Sequence, residues 1–300
     1  DEIETLLNRD LPEEERIPLI EKFQKMYETM DFYVLYNRFL KKEGYQTLPR
    51  RPLEKRKLRY EDVYPVLYLK YRLSRQAERS NIKHLVIDEM QDYSRLQYLI
   101  IRRMFSCKMT ILGDRAQTMA DQQQDVLQFL PGIFGKDLRR IEMRKSYRNT
   151  VEIASYAANL IGVTDLELFE RHGMPVLERD VSDLEAALRE AVDTLFPDEK
   201  TYETAAVIVP DEKTAERAYL ILREILAEKD FDCGKRLSWL NRDSSSFKKG
   251  LTVTTFYLAK GLEFDQVVSI FPKDEKREMM MQAQYIAATR ALHELRVYHI

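Results

Sequence analysis

The chain has 300 residues, 44% of them hydrophobic, and its 48 Lys and Arg against 50 Asp and Glu leave a net charge of −2. Such a length and apolar fraction predict one large or two medium globular domains and argue against disorder, while the cancelled charge excludes a global basic signature, so any nucleic-acid binding must be local. Two distant cysteines, Cys107 and Cys233, stand outside any CxxC or Cys/His spacing, which excludes a disulfide framework or zinc site and fits a reducing cytoplasm. The acidic start DEIETLLNRD and the lack of a long apolar run predict a soluble chain that is not exported and has no membrane partner.

From about residue 13 to 43, Ile17, Ile20, Phe23, Met26, Tyr27, Met30 and Val34 recur every three or four positions, the period of an amphipathic helix. The basic run RRPLEKRKLR (50–59) follows. It reads as a linker or solvated surface arm, with a phosphate-contacting patch as the alternative. EDVYPVLYLKYRL then restores a helical stripe. At Ile82 the texture changes: His84–Ile87 runs into Asp88-Glu89, and Met109–Leu112 runs into Gly113-Asp114, with a helical spacing of Leu96, Leu99 and Ile100 between them. Short apolar runs ending in carboxylates predict buried parallel strands of an α/β sheet, whose carboxyl ends bind ligands. Beyond Ser146 a second α/β set is expected: a helix through Leu184–Leu195, a strand at 205–209, a helix through Ala215–Leu226, strands at 251–256 and 266–271, a helix near 279–292, and a closing strand ELRVYHI. Ser244–Ser246 beside Lys248-Lys249 reads as a flexible loop. Met279–Met281 reads as core or interdomain packing, and Trp239 as either core or interface.

The chemistry gathers at the predicted strand ends. In LVIDEMQD (85–92), Asp88 is placed to reach a nucleotide-bound Mg²⁺ and Glu89 to polarise the attacking water. Alone, such a pair would read as a solvated turn. The segments that follow reverse that reading: LGDRAQ (112–117) offers Asp114 and Gln117, a neutral amide able to report a γ-phosphate. Ser146-Tyr147-Arg148, TFYLAKGLEFD (255–265) and YIAATRA (285–291) then come in order.

This ordered set resembles the motifs of superfamily 1 helicases of the UvrD/Rep group over residues 82–300. The resemblance implies a RecA-like P-loop NTPase fold of two parallel-sheet α/β domains. Residues 1–81 would be a helical segment belonging to or inserted in the first domain, 82–145 its remainder, and 146–300 the second. It implies ATP and Mg²⁺ as cofactors, with Gln91 and Asp114 joining Asp88 in the nucleotide site. Tyr147 would stack on adenine, Glu263 would contact the ribose, and Arg148 and Arg290 would reach the γ-phosphate. Thr255, Tyr257, Lys260 and Gly261 would couple nucleotide to strand.

Three departures qualify the resemblance. No GxxxxGK[ST] occurs, since neither Gly135-Lys136 nor Gly234-Lys235 precedes Ser or Thr; a truncation before Asp1 is the expected reason, and the chain by itself is expected to be inactive in hydrolysis. Where the family places a base-stacking aromatic, the chain reads Thr118-Met119-Ala120-Asp121, and Tyr257 replaces a usual His. Only about 110 residues separate Arg148 from Lys260, too few for the large inserted domain of unwinding members. With YEDVYPVLYLKYRL and RALHEL, these departures resemble the HelD-type branch, whose members act on RNA polymerase. The alternatives are a DNA repair helicase acting on DNA and an inert helicase-fold scaffold that binds a protein partner.

Overall fold

A computed structural model describes residues 9–25, 29–73, 79, 81–114, 117, 126–135, 138–164, 167–195, 202–228, 233–244, 249–273 and 278–300. The chain divides into two compact units. One comprises residues 1–88, 93–112 and 126–137, the other 89–92, 113–125 and 138–300. Among the described residues no helix is long and apolar enough to cross a membrane.

In the first unit, helices α1 (Glu13–Lys25), α2 (Phe32–Lys42) and α3 (Tyr60–Leu73) precede strand β1 (His84–Ile87). The apolar stripe read as one amphipathic helix is interrupted. The Asp31 side chain caps α2 by accepting from Tyr33 N and Val34 N, so a new helix begins there. Ile17, Ile20 and Met30 are exposed, and the buried face of α2 is instead Tyr33, Tyr36 and Leu40, packed with Leu48, Val66 and Leu69. Met26 and Tyr27 lie outside the described residues. Asp62 is buried on α3, where its carboxylate accepts from the Tyr36 hydroxyl at 2.8 Å and from Arg59 Nε at 2.6 Å.

Helix α4 (Arg95–Met104) follows β1 and opens on a capping box in which Ser94 and Gln97 satisfy each other's backbone N–H groups. It leads to β2 (Lys108–Ile111), parallel to β1. Ile87, Tyr98, Val126 and Leu130 form the core here, with α5 (Val126–Phe134) supplying Phe129 and Phe134 around the Tyr98 ring.

The second unit is built on six parallel strands in the order β5-β10-β9-β6-β8-β7: β5 (Leu177–Asp180), β6 (Thr204–Val209), β7 (Leu237–Trp239), β8 (Gly250–Thr255), β9 (Phe264–Phe271) and β10 (Ala291–His299). A separate short pair, β3 (Lys145–Ser146) and β4 (Glu167–Leu168), precedes them. The period of two decides which helix meets which face. Ala205, Val207 and Val209 face a core shared with α7 (Leu184–Val192) and α8 (Glu212–Ala227). Ala206 and Ile208 face another, shared with α6 (Val151–Leu160) and α10 (Glu278–Ala288). The short α9 (Cys233–Arg236) leads directly into β7. With both faces covered, the central strand β6 is a continuous apolar run from Ala205 to Val209, the signature of an α/β parallel sheet.

Two expectations change in this unit. Successive helical residues differ by about 100°, so of the three methionines on α10 only Met280 is buried, while Met279 and Met281 are exposed. That helix ends at Ala288, short of the expected 292, because β10 begins at Ala291. Trp239 packs against the core beside α8, stacked on Tyr219 at 6.1 Å. Ser245, Ser246 and Lys248 lie outside the described residues.

Candidate nucleotide site

The site is built in the second unit from five loops. Glu89 begins the first and has a φ of 51°, the only non-glycine residue with positive φ among those described. A left-handed residue of this kind costs about 1–3 kcal/mol and is held only by its surroundings. Gln91, buried, supplies the hold. Its Nε2 donates to Glu89 Oε2 at 2.5 Å, and its Oε1 accepts from Asp114 N at 3.1 Å, tying the DEMQD loop to the GDRAQ loop. Gly113 makes that approach possible, since a Cβ there would stand 2.7 Å from Met90 N and 2.5 Å from Gln91 Oε1. Asp88 is exposed at the tip of β1, in the first unit.

Asp114 is the hub of a second set of bonds. Its Oδ2 accepts from Gln117 Nε2 at 2.9 Å and from the Tyr285 hydroxyl at 3.1 Å. Burial and the Asp114 carboxylate push the Tyr285 phenol up, so it stays a donor. Gln117 is itself buried, and its Oε1 has no hydrogen-bond partner among the described residues.

Arg290 is 2% exposed. Its Nε donates to Ile286 O and one terminal nitrogen to Thr289 Oγ1, both at 3.2 Å, and no carboxylate lies within ion-pair distance among the described residues. Burial lowers its affinity for the proton, as does the neighbouring Arg148 cation, against weaker support from Glu89 and Glu263. The backbone beneath it is pinned on both sides. Asn149 Nδ2 donates to Thr289 O at 3.2 Å and to Ala291 O at 2.6 Å, while Phe264 N donates to Arg290 O at 2.9 Å.

Arg148, half exposed, pairs through Nε with Glu263 Oε1 at 2.7 Å, so the residue expected at the ribose holds an arginine expected at the phosphate. Tyr147 is 60% exposed, its ring tilted against Phe169 at 5.6 Å with Lys145 Nζ 5.5 Å from its centroid. Lys260 Nζ donates to Asp92 Oδ1 at 2.6 Å, and Gly261 carries the φ of +76° that turns the chain after it. Thr255 is fully buried at the end of β8. Tyr257 meets the edge of Phe256 at 5.5 Å and lies under the Arg242 guanidinium at 5.8 Å.

The structure therefore brings Glu89, Gln91, Asp114 and Gln117 into one bonded network and sets Arg148 with Glu263 beside the buried Arg290. Tyr257 and Thr255 make no bond to this network. Three residues of the site carry no sequence expectation: Tyr285, Asn149 and Asp92. Each lies within or beside a quoted motif, but its partner is remote in sequence. Thr118–Asp121 lies outside the described residues. Among those described, no three His, Cys, Asp or Glu side chains gather as a metal-holding cluster.

Residues 2–119 match the family model of the UvrD/REP helicase N-terminal domain. The matched, helicase-like segment contains both loops of the Gln91–Asp114 bond and ends just past Gln117. Among solved structures the chain aligns with the C-terminal domain of a possible DNA helicase from Lactobacillus plantarum WCFS1. The identity is 24%, covering 52% of this chain and 88% of that one, with a TM-score of 0.40. It aligns with the PRRSV helicase at 16% identity and a TM-score of 0.41, and with arterivirus nonstructural protein 10, a helicase in complex with DNA, at 14% and 0.40. It covers 74% of itself in both cases and spans 36% and 41% of those two proteins. No curated protein matches the chain.

Proposed function

We propose that this chain is the nucleotide-sensing part of an ATP-driven, superfamily 1 helicase-like motor. The observation that carries the reading is Arg290, a guanidinium buried without an ion-paired carboxylate and pinned through its own backbone. Leaving a buried cation uncompensated costs several kcal/mol, and a phosphate brought into the site offsets that cost. Arg148 is the second cation, released to phosphate when Glu263 turns to the ribose. Gln117 Oε1 is a buried polar atom likewise waiting for a ligand or its water. Tyr147 offers an exposed ring to the adenine.

The donor set also fits a magnesium nucleotide. Asp88, at the tip of β1, would hold the ion through its water shell, and Mg²⁺ when bound would neutralise phosphate charge. Glu89 then orients the attacking water while Arg148 and Arg290 stabilise the charge that develops. Since the chain has no GxxxxGK[ST], it is expected to bind ATP weakly and not to turn it over unaided. The two free thiols, Cys107 and Cys233, fit a reducing cytoplasm.

Within that class a HelD-type role on RNA polymerase is favoured over repair-type unwinding of DNA. Besides the sequence departures, Arg242 and Phe256 occupy the surroundings of the Tyr257 ring, leaving less of it for a base.

The test is the binding of a fluorescent ATP analogue, with ADP as competitor. Preference for the triphosphate is expected. Each charge-assisted bond to phosphate is worth about 1.5–3 kcal/mol, so Arg290→Gln and the solvent-facing Arg148→Ala should each weaken triphosphate binding about 10- to 100-fold and leave ADP nearly unchanged. Equal affinity for ATP and ADP in the unaltered chain, or an intact preference in Arg148→Ala, overturns the reading.

A further inference from the structure

Arg171 stands outside every motif of the nucleotide site, yet its side chain joins two of them. It lies in the turn after β4, and one terminal nitrogen, Nη2, donates both to Arg148 O and, at 3.0 Å, to Leu292 O. Those carbonyls are 23 and 121 residues away in sequence. The first belongs to one of the two arginines proposed for the phosphates, and the second lies just beyond the other, Arg290. Among the described residues, Arg171 Nε is buried without a partner and no carboxylate pairs with the side chain. The charge is therefore directed at two backbone oxygens through a single nitrogen, and hydrogen bonds from an ionised donor are the strong kind.

The turn that carries Arg171 is itself tied down along its length. Phe169 N donates to Ser146 O at 3.1 Å, Val151 N to Arg171 O at 2.9 Å, and Gly173 N to Glu152 Oε2 at 2.8 Å, so residues 169–173 run beside 146–152 bond by bond. Gly173 lets the turn press close, because a Cβ there would stand 2.7 Å from Thr150 Cγ2 and 3.2 Å from His293 O. Asn149 already bonds Thr289 O and Ala291 O from the strand that carries Arg148. Arg171 closes the same junction from a third segment.

The two phosphate arginines need such a tie. Burial lowers the proton affinity of Arg290 and the Arg148 cation lowers it further, so the two guanidinium groups feel each other and push their backbones apart. We propose that Arg171 is a positioning residue, which holds the backbone of Arg148 against that of the Arg290 loop so that both cations converge on one γ-phosphate. It touches no nucleotide and acts only through those two arginines. On the nucleotide reading, on which this role rests, a γ-phosphate feels any loosening at both cations, whereas ADP has no group to lose there.

The experiment compares Arg171→Met and Arg171→Lys with the unaltered chain in binding of the fluorescent ATP analogue, with ATP or ADP as competitor. Loosening both arginines forfeits part of two charge-assisted bonds, so the preference for ATP should fall about tenfold in Arg171→Met, with ADP affinity nearly unchanged. Because one nitrogen makes both bonds, an ammonium can make them too, and Arg171→Lys should recover most of the preference. Amide exchange without nucleotide reads the tie directly: it should quicken over 148–151 and 289–293 in Arg171→Met and stay as it was in α8. An intact preference in Arg171→Met overturns the proposal. So does an equal loss for ATP and ADP, a loss that Arg171→Lys does not recover, or exchange unchanged over those two segments. If the unaltered chain shows no preference for ATP, the nucleotide reading falls and this role with it, an outcome told apart because it precedes any substitution.

Discussion

A single hydroxyl joins the last motif to the second strand tip. Tyr285 donates to the Asp114 oxygen that also receives Gln117, so removing it leaves Gln117 held by one carboxylate that has lost a fixed partner. Tyr285→Phe should cost about 1–2 kcal/mol in chemical denaturation, because the bond is to a charged acceptor in a partly buried place. On the proposed reading it should also narrow the preference for ATP over ADP, which a purely structural bond would leave alone. An unchanged preference assigns Tyr285 to stability only. Glu89, Gln117, Arg148 and Arg290 were nameable from the sequence because each sits inside a short run whose order is distinctive. Asn149 was not, since an Asn after an Arg is ordinary. Its meaning comes from Thr289 and Ala291, which only the closed fold brings to it.

At the scale of elements, helix α6 is secured at its first turn by a carboxylate. Glu152 accepts from His172 Nδ1 and from Gly173 N, both at 2.8 Å, and these bonds hold it at about 2, well below the usual carboxylate range. A carboxyl group depressed in the folded state adds stability above its unfolded value, near 4.5, and loses it as pH falls toward 2. Glu152→Gln should therefore destabilise the chain at neutral pH, with the gap to the unaltered protein closing between about pH 4.5 and 2 in urea melts. A gap that stays constant across that window would show that the carboxylate charge is not involved. The strands of the second unit were readable because burial on both faces forces mostly apolar runs, as in Ala205–Val209 and, with Ser269 as its one polar member, Val267–Phe271. The stripe from Ile17 to Val34 misled because its period persists across a cap. Nothing in an apolar spacing says that Asp31 will turn its oxygen onto the next helix.

For the molecule as a whole, the proposed function implies that partner and nucleotide report on each other. Coupling between two binding sites is reciprocal, so on that reading a load would change this chain's affinity for ATP by the factor by which ATP changes its affinity for the load. RNA polymerase is expected to shift binding of the fluorescent ATP analogue about fivefold or more, the lower end of ordinary coupling energies. A shift by single-stranded DNA with none by RNA polymerase sinks the HelD-type placement and leaves the nucleotide reading standing. Net charge hides the basic surface near Arg50, because acids elsewhere in the chain cancel it, and the run RRPLEKRKLR marks it in the sequence only as one of two readings. Only the fold shows which cations share a wall.

The amide of Asn149 has one more consequence. It follows Tyr147 and Arg148 directly in sequence and grips the backbone on either side of Arg290, so the aromatic ring and the buried guanidinium belong to one rigid frame. A ligand that must touch both is gauged end to end. On the proposed reading a triphosphate would reach from the ring to the guanidinium, a diphosphate would fall one phosphoryl group short, and the state of the nucleotide would be read as a length.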